Sequence, residues 1–461
     1  MQAPDKKPQK QSRVRRGFLS AWKRFGRFVI NTFYSRFEVS GEETIPNDAG
    51  VILCANHVNA LIDGVVLQAS TKRNIRPLAR SGLFKNPILR PILQTIGAVP
   101  IYRRNTETSD TSKNEDSFSQ VYKLLAEKET IVIFPEGQSH ANPYVQEIKT
   151  GAARMALGAI KANGVAPVVI PVGMTFTRKK RARTEVLVRY GKAVDLSVDE
   201  EMSEQDAVRL ITLRVKQGIE SVTLNTKSWK DMALVHRLER FFALRGGKRR
   251  KTSLTQRFTA LQRLIEAQDL LQQHEPDKVR SLMSKMRMFE RLCDACGIDH
   301  YHLAVNYKPL FLILYTLRTL GIVLIGFPIA LWGILNSIIP FKLTEYLTRK
   351  LSKDVDQYDT ARVLIGMSAF SLFWGIQSYL IYDNFSLHWA IIYLTSLFIS
   401  AVVAISLQGE YRRTLVNLKV FFLFMRKQDL KAYLETKRDE LEVELAQMVR
   451  IAKRLSKKET K

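Results

Sequence analysis

Two stretches, 363–382 ("VLIGMSAFSLFWGIQSYLIY") and 387–407 ("LHWAIIYLTSLFISAVVAISL"), are too apolar for a surface in contact with water. Each has the roughly 20 residues that a helix needs to cross the hydrocarbon core of a bilayer. The connection between them, "DNFSL", has no Lys or Arg. The outer flanks are basic, with Arg349, Lys350, Lys353 and Arg362 before and Arg412, Arg413 and Lys419 after. Such asymmetry predicts a helical hairpin whose two ends face the cytoplasm. A third stretch, 309–340 ("PLFLILYTLRTLGIVLIGFPIALWGILNSIIP"), exceeds one span and falls short of two. A single crossing would carry the basic segment around Arg349 to the far side from residues 1–308, against the positive-inside tendency. The expectation is therefore a re-entrant or tight helical hairpin broken near Gly326 and Pro328, with a single tilted crossing as the alternative. Arg318, inside this stretch, snorkels to the interface or meets a substrate phosphate.

Charge narrows the partners. The 461 residues hold 71 Lys and Arg against 44 Asp and Glu, a formal net charge of +27. That excess calls for negative partners: anionic lipid headgroups, phosphorylated substrates or nucleic acid. The apolar stretches favour anionic membrane lipids and argue against nucleic acid. Ten cations fall within residues 1–36 beside a single acid, Asp5. Phe18, Leu19, Trp22, Phe25, Val29, Ile30 and Phe33 recur there at helical spacing with Lys23, Arg24 and Arg27 between them. This predicts a helix in the membrane interface, aromatic side down and cations toward headgroups; a packing helix with a solvated basic face is the alternative. Three cysteines, Cys54, Cys293 and Cys296, are too few for a disulfide framework and suit a reducing compartment.

Residues 37–224 read as an α/β domain, a mixed sheet flanked by helices. Strands are expected at "GVILC" (50–54), "AVPIYR" (98–103), "TIVIFP" (130–135), "PVVIPVGMTF" (167–176, interrupted at Pro171) and "EVLVRYG" (185–191). Helical patterns cover 61–71, 114–127, 150–163 and 203–223. Residues 225–308 form a basic helical region, 309–407 a membrane domain of transmembrane helices, and 408–461 a charged helical cytoplasmic tail.

Polar motifs gather where strands end, the place where α/β sheets bind ligands. "NHVNALID" follows the first strand. Imidazole ordinarily changes charge near neutral pH, which makes His57 a general-base candidate, and Asp63 a residue that holds its tautomer. Six positions along one helix rotate by about 600°, so the two cannot share a helical face. His57 must precede the helix, with Asp63 reaching back from its first turns. No nucleophile motif accompanies them, so the substrate's own hydroxyl would attack. Taken alone, a capping Asp63 and a hydrogen-bonded core His57 explain the pair better.

The second strand ends in Arg103 and Arg104, side chains suited to bidentate phosphate binding. The third is followed by Glu136, Gly137 and Ser139 in "FPEGQSH": a hydrogen-bond acceptor, a turn that permits close backbone approach, and a donor. Lys149 and Thr150 stand at the mouth of the next helix, an anion-binding position. "TRKKRARTE" (177–185) reads as a loop lying on headgroups or on a phosphorylated ligand. "CDACGIDHYH" (293–302) resembles a zinc pattern, but its helical context and crowded spacing argue against a metal.

Together, "ANHVNALID", "GAVPIYR", "FPEGQSH" and "VVIPVGM", in this order over residues 50–174, resemble the four sequence blocks of the PlsC-type glycerolipid acyltransferase superfamily. The resemblance implies that His57 deprotonates an acceptor hydroxyl while Asp63 supports it. It further implies that Arg103 holds the acceptor phosphate, that Glu136, Gly137 and Ser139 help bind the acceptor, and that Pro171 shapes the acyl side. Arg104 and Lys149 are added from charge alone. Most of the superfamily places four residues between histidine and aspartate; here five intervene. This resembles the branch of fungal glycerol-3-phosphate/dihydroxyacetone-phosphate acyltransferases and their bacterial relatives. The implied activity is transfer of a fatty acyl group from acyl-CoA or acyl carrier protein, without a cofactor, to the sn-1 hydroxyl of glycerol-3-phosphate. Lysophosphatidate acylation to phosphatidic acid is the alternative, and a non-catalytic lipid-binding scaffold a second.

Overall fold

Runs of β-branched and aliphatic residues bounded by turn residues become neighbouring strands in a computed structural model of the protein. It describes residues 13–85, 87, 89–102, 112–177, 184–243, 252–298, 302–303, 309–351 and 358–459. Contacts divide the chain into two compact units, the first comprising residues 1–228, 253–255 and 353–360.

The first unit is built on strands β1 (Arg36–Ser40), β2 (Val51–Ala55), β3 (Ile75–Arg80), β4 (Val99–Ile101), β5 (Thr130–Ile133), β6 (Val168–Phe176) and β7 (Glu185–Tyr190). They form one sheet in the order β1-β7-β6-β2-β5-β3-β4. Pairing is parallel except between β6 and β7. The α/β reading with a mixed sheet is therefore the fold. The helices are α1 (Arg13–Phe33), α2 (Leu61–Ser70), α3 (Leu89–Ile96), α4 (Ser112–Ala126), α5 (Gly151–Asn163) and α6 (Glu204–Val222). All five residues of β2 are buried, as a continuous apolar run between two parallel neighbours should be. Alternate residues Ile52 and Cys54 join a core with Val121 of α4, Met155 of α5 and Ile211 and Ile219 of α6. Because β2, β3, β4 and β5 run parallel, the loops after them emerge at one edge.

Two expectations change. Pro171 does not interrupt its strand; β6 runs through it, opposite Cys54 of β2. The Pro171 carbonyl still accepts from Gly191 N–H at 2.8 Å, and its ring packs where Gly191 and Gly218 leave room. The basic residues of α1 also do not all face outward. Lys23 Nζ donates to the carbonyls of Lys72 and Arg73, and Arg27 Nε to that of Ala69. Carbonyls at the end of a helix lack intrahelical partners and attract cations; Ala69 is in the last turn of α2, and Lys72 and Arg73 follow just past its end. Leu19 and Ile30 are buried and Gly26 sits beside Val65, whereas Phe18, Phe25 and Phe28 are exposed. Burial, then the neighbouring Arg27, lower the Lys23 pKa below the usual ammonium range, against an opposing pull from Glu42.

In the second unit, helices Trp229–Ala243, Leu254–His274 and Pro276–Ala295 fill the basic helical region. Helix Gln428–Glu459 fills most of the charged tail, and its Leu434, Leu441 and Leu445 share a core with Leu282, Met286 and Phe289. Cys293 is buried in that core, which accounts for it without a metal.

Among the described residues, three helical segments are long and apolar enough to cross a membrane: Ile313–Leu351, Thr360–Asn384 and Leu387–Leu407. The first belongs to one continuous helix, Pro309–Leu351, that contains Pro328 and Pro340. The break expected near Gly326 and Pro328 is absent. Helix Leu387–Arg426 runs alongside in the opposite direction, Thr319 beside Thr414 and Gly333 beside Ser400. A Cβ at Gly326 would meet Leu407 Cδ1 at 2.8 Å, and one at Gly333 would meet Ser400 Oγ at 2.6 Å. Small residues thus let the two helices close on each other, and the helix continues through both prolines.

Candidate active site

β2 delivers the chain to the sheet edge at Ala55, and α2 begins at Leu61. His57 lies in the loop between them and Asp63 in the first turn of α2, the arrangement their spacing requires. Nδ1 of His57 is 2.9 Å from Oδ2 of Asp63. The same oxygen accepts from the backbone N–H groups of Val58 and Asn59, each at 2.8 Å. Asp63 is fully buried, and His57 keeps a 19% exposed side chain. A carboxylate oxygen already receiving two N–H groups accepts a third, so Nδ1 carries the proton and Nε2 presents a lone pair. Ala60 closes the loop with φ +46°, a conformation seldom adopted by a residue with a Cβ. This is how five residues fit between His57 and Asp63.

Two asparagines of the motif brace the loop. Asn56 Nδ2 donates to the Met174 carbonyl at 3.1 Å, and its Oδ1 accepts from Met174 N–H at 2.7 Å. The first motif is thereby bound to the fourth. Asn59 is buried, its side-chain amide 3.5 Å from the Tyr34 hydroxyl and its carbonyl accepting from Thr360 Oγ1 at 3.1 Å.

The loop after β5 supplies the other wall. The Phe134 ring stacks on the His57 imidazole, centroids 4.2 Å apart and planes 20° from parallel. Glu136 is buried, and its Oε1 lies 3.4 Å from the backbone nitrogen of His57. Gly137 turns the chain with φ +75°, and Lys149 lies across it: a Cβ there would stand 2.9 Å from Lys149 Cε and 3.0 Å from Nζ. Lys149 N–H also donates to the Pro135 carbonyl at 2.8 Å. Ser139 follows in the same loop, half-exposed.

The structure thus brings together His57, Asp63, Glu136, Gly137, Ser139 and Lys149. Arg103, Arg104 and the cluster at 178–183 lie outside the described residues. Burial pushes the Cys54 thiol up to about 12, so this neighbour of the site is a packed side chain and no thiolate nucleophile. Among the described residues, no group of three or more His, Cys, Asp or Glu side chains is arranged to hold a metal ion. Phe134, His140 and Thr360 were not singled out from the sequence. Only the Glu136/His140 spacing within "EGQSH" carried a signal, and without coordinates it does not say whether the side chains meet.

The family model described as Acyltransferase matches residues 36–175, the span that contains His57, Asp63, Glu136, Gly137, Ser139 and Lys149. Over these residues the chain is similar to the acyltransferase family. Glycerol-3-phosphate O-acyltransferase 2 of Saccharomyces cerevisiae is 29% identical over 143 residues, which is 30% of this chain and 19% of that protein. The 1-acyl-sn-glycerol-3-phosphate acyltransferase of Borreliella burgdorferi is 27% identical over 119 residues, 26% of this chain and 45% of that one. The similarity therefore covers less than half the length of either relative. The crystal structure of PlsC, a 1-acyl-sn-glycerophosphate acyltransferase from Thermotoga maritima, aligns with 47% of this chain and 83% of its own, at TM-score 0.36 and 21% identity. The yeast and Borreliella relatives are both named as acyltransferases that act on glycerol-3-phosphate or its 1-acyl form.

Proposed function

We propose that the protein is an integral membrane O-acyltransferase that moves a fatty acyl group from an acyl thioester to the sn-1 hydroxyl of glycerol-3-phosphate. The observation that carries this reading is the His57–Asp63 pair at the end of β2, with Nδ1 held by Asp63 and Nε2 left to take a proton. The acceptor hydroxyl attacks the thioester carbonyl and gives its proton to Nε2. The tetrahedral intermediate then collapses, the carbon–sulfur bond breaks, and the leaving thiolate takes the proton back from the imidazolium as free thiol. Asp63 stabilises the imidazolium between the two steps. No enzyme-bound acyl group forms, in keeping with the inert Cys54.

Arg103, with Arg104 and Lys149, holds the acceptor phosphate, and Gly137 and Ser139 line the acceptor side. The donor is acyl-CoA or acyl carrier protein, and no cofactor takes part. The apolar helices anchor the chain, the basic surface meets anionic lipids, and the site faces the cytoplasm. The five-residue gap and the yeast relative favour glycerol-3-phosphate. The Borreliella relative favours a second reading, acylation of lysophosphatidate. Full-length protein in lipid vesicles, assayed with each acceptor and one acyl-CoA, separates them. Activity on glycerol-3-phosphate is expected; turnover of lysophosphatidate alone would transfer the assignment to the second reading, and turnover of neither would leave a lipid-binding scaffold.

A further inference from the structure

The loop that follows β5 contains a second histidine–carboxylate pair, which the reaction above does not use. His140 is buried, and its Nε2 meets Oε2 of Glu136. The tautomer follows from its other nitrogen: Nδ1 lies 3.1 Å from the backbone N–H of Asn142, which can only donate. Nδ1 therefore accepts, Nε2 carries the proton, and the imidazole donates to Glu136. The other oxygen of Glu136 faces the His57 backbone nitrogen at 3.4 Å, and the backbone N–H of His140 donates to the His57 carbonyl at 3.1 Å. His57 is thus held on three sides by one loop: its N–H by Glu136, its carbonyl by His140, and its ring by Phe134.

Asp63 sets the tautomer of His57, but it lies on the same segment, α2 and the loop before it, and contacts the ring rather than the backbone of His57. Position requires anchors from another element, and reaction rates are sensitive to displacements of about an ångström. We infer that His140, acting through Glu136 and through its own backbone N–H, is a positioning residue that fixes the backbone of the catalytic histidine. Glu136 then serves His57 rather than the acceptor. Its burial, and the engagement of both carboxylate oxygens inside the protein, oppose the acceptor-binding role that the family resemblance implies for it.

This rests on the acyltransferase reading, and two readouts keep the two apart. In full-length protein in vesicles, His140→Leu should lower kcat about 10- to 100-fold while the KM for glycerol-3-phosphate stays within about twofold. His140→Gln, whose amide can still donate to Glu136, should recover most of the rate. Glu136→Gln should match His140→Leu, and the double variant should be no slower than either alone. Hydrogen exchange of the peptide that contains residues 56–63 should quicken in His140→Leu, with that of residues 204–222 unchanged. An unaltered kcat, or a raised acceptor KM at unaltered kcat, would overturn the inference. Should the wild type turn over neither acceptor, the functional reading fails and the exchange measurement decides alone: unchanged exchange at 56–63 overturns the positioning role. If His140→Leu is not recovered from membranes, Glu136→Gln decides by the same criteria.

Discussion

His57 and Asp63 are separated by five residues, yet their Nδ1 and Oδ2 atoms stand 2.9 Å apart, because β2 ends just before one and α2 starts just before the other. Replacing Asp63 by Asn keeps the shape and removes the acceptor that selects the tautomer. Asp63→Asn should lower kcat by about 10²- to 10⁴-fold with little change in the acceptor KM. Steady-state kinetics on the reconstituted variant check this, and a loss under tenfold would count against the pair.

Gly137 and Lys149 form a second relationship. A methyl group at Gly137 would push against the flexible end of Lys149, and φ +75° adds about 1 kcal/mol of strain for a residue with a Cβ. Gly137→Ala should raise the acceptor KM by displacing the ammonium group. Lys149→Ala should do the same, and the double variant should be no worse than the poorer single one. Acceptor titrations of the three variants test the point; additive effects would separate Gly137 from Lys149.

The doubly bonded Asn56 gives a stability prediction. Asn56→Ala leaves the N–H and carbonyl of Met174 buried without their side-chain partner, at a cost of about 1–3 kcal/mol. Thermal unfolding of the variant should show a lower midpoint as well as lower activity. An unchanged midpoint would mean that water replaces the amide.

Much of this was legible before any coordinates. The strands that became β2, β5, β6 and β7 are long apolar runs, and the α2 boundary followed from the turn that His57 and Asp63 require. β1 ("RFEVS") and β3 ("IRPLAR") were missed because each sets charged residues among its apolar ones, and β3 also contains Pro77. α3 ("LRPILQTI") is short and carries Pro91 in its first turn. The grip of His140 on His57 was out of reach for another reason. It joins loops 83 residues apart through backbone groups, which leave no mark on residue type. Helix Pro309–Leu351 continues through Pro328 where helix Leu387–Arg426 packs against Gly326 and Gly333, a tertiary contact that local proline rules omit.

Glu38 supplies a pH dependence. Burial raises its pKa, but the N–H groups of Leu254 and Thr255, the Thr255 hydroxyl and the Arg36 guanidinium together hold it below the usual glutamate value. A carboxyl with a depressed pKa in the folded state contributes stability above its unfolded pKa, and that contribution disappears as pH falls through the folded value. Glu38→Gln should therefore lower the unfolding midpoint at pH 7, and the difference from wild type should shrink at an acidic pH below the ordinary glutamate range. Thermal unfolding at the two pH values checks this; a gap that persists in acid would exclude a charge effect.

The central claim is that Nε2 of His57 takes the proton of the acceptor hydroxyl. Its most direct test is the turnover of His57→Ala in vesicles, with acyl-CoA and glycerol-3-phosphate, beside wild-type protein of equal membrane content. The account predicts a loss of about 10²-fold or more with insertion into the membrane intact. Turnover at the wild-type rate would contradict it.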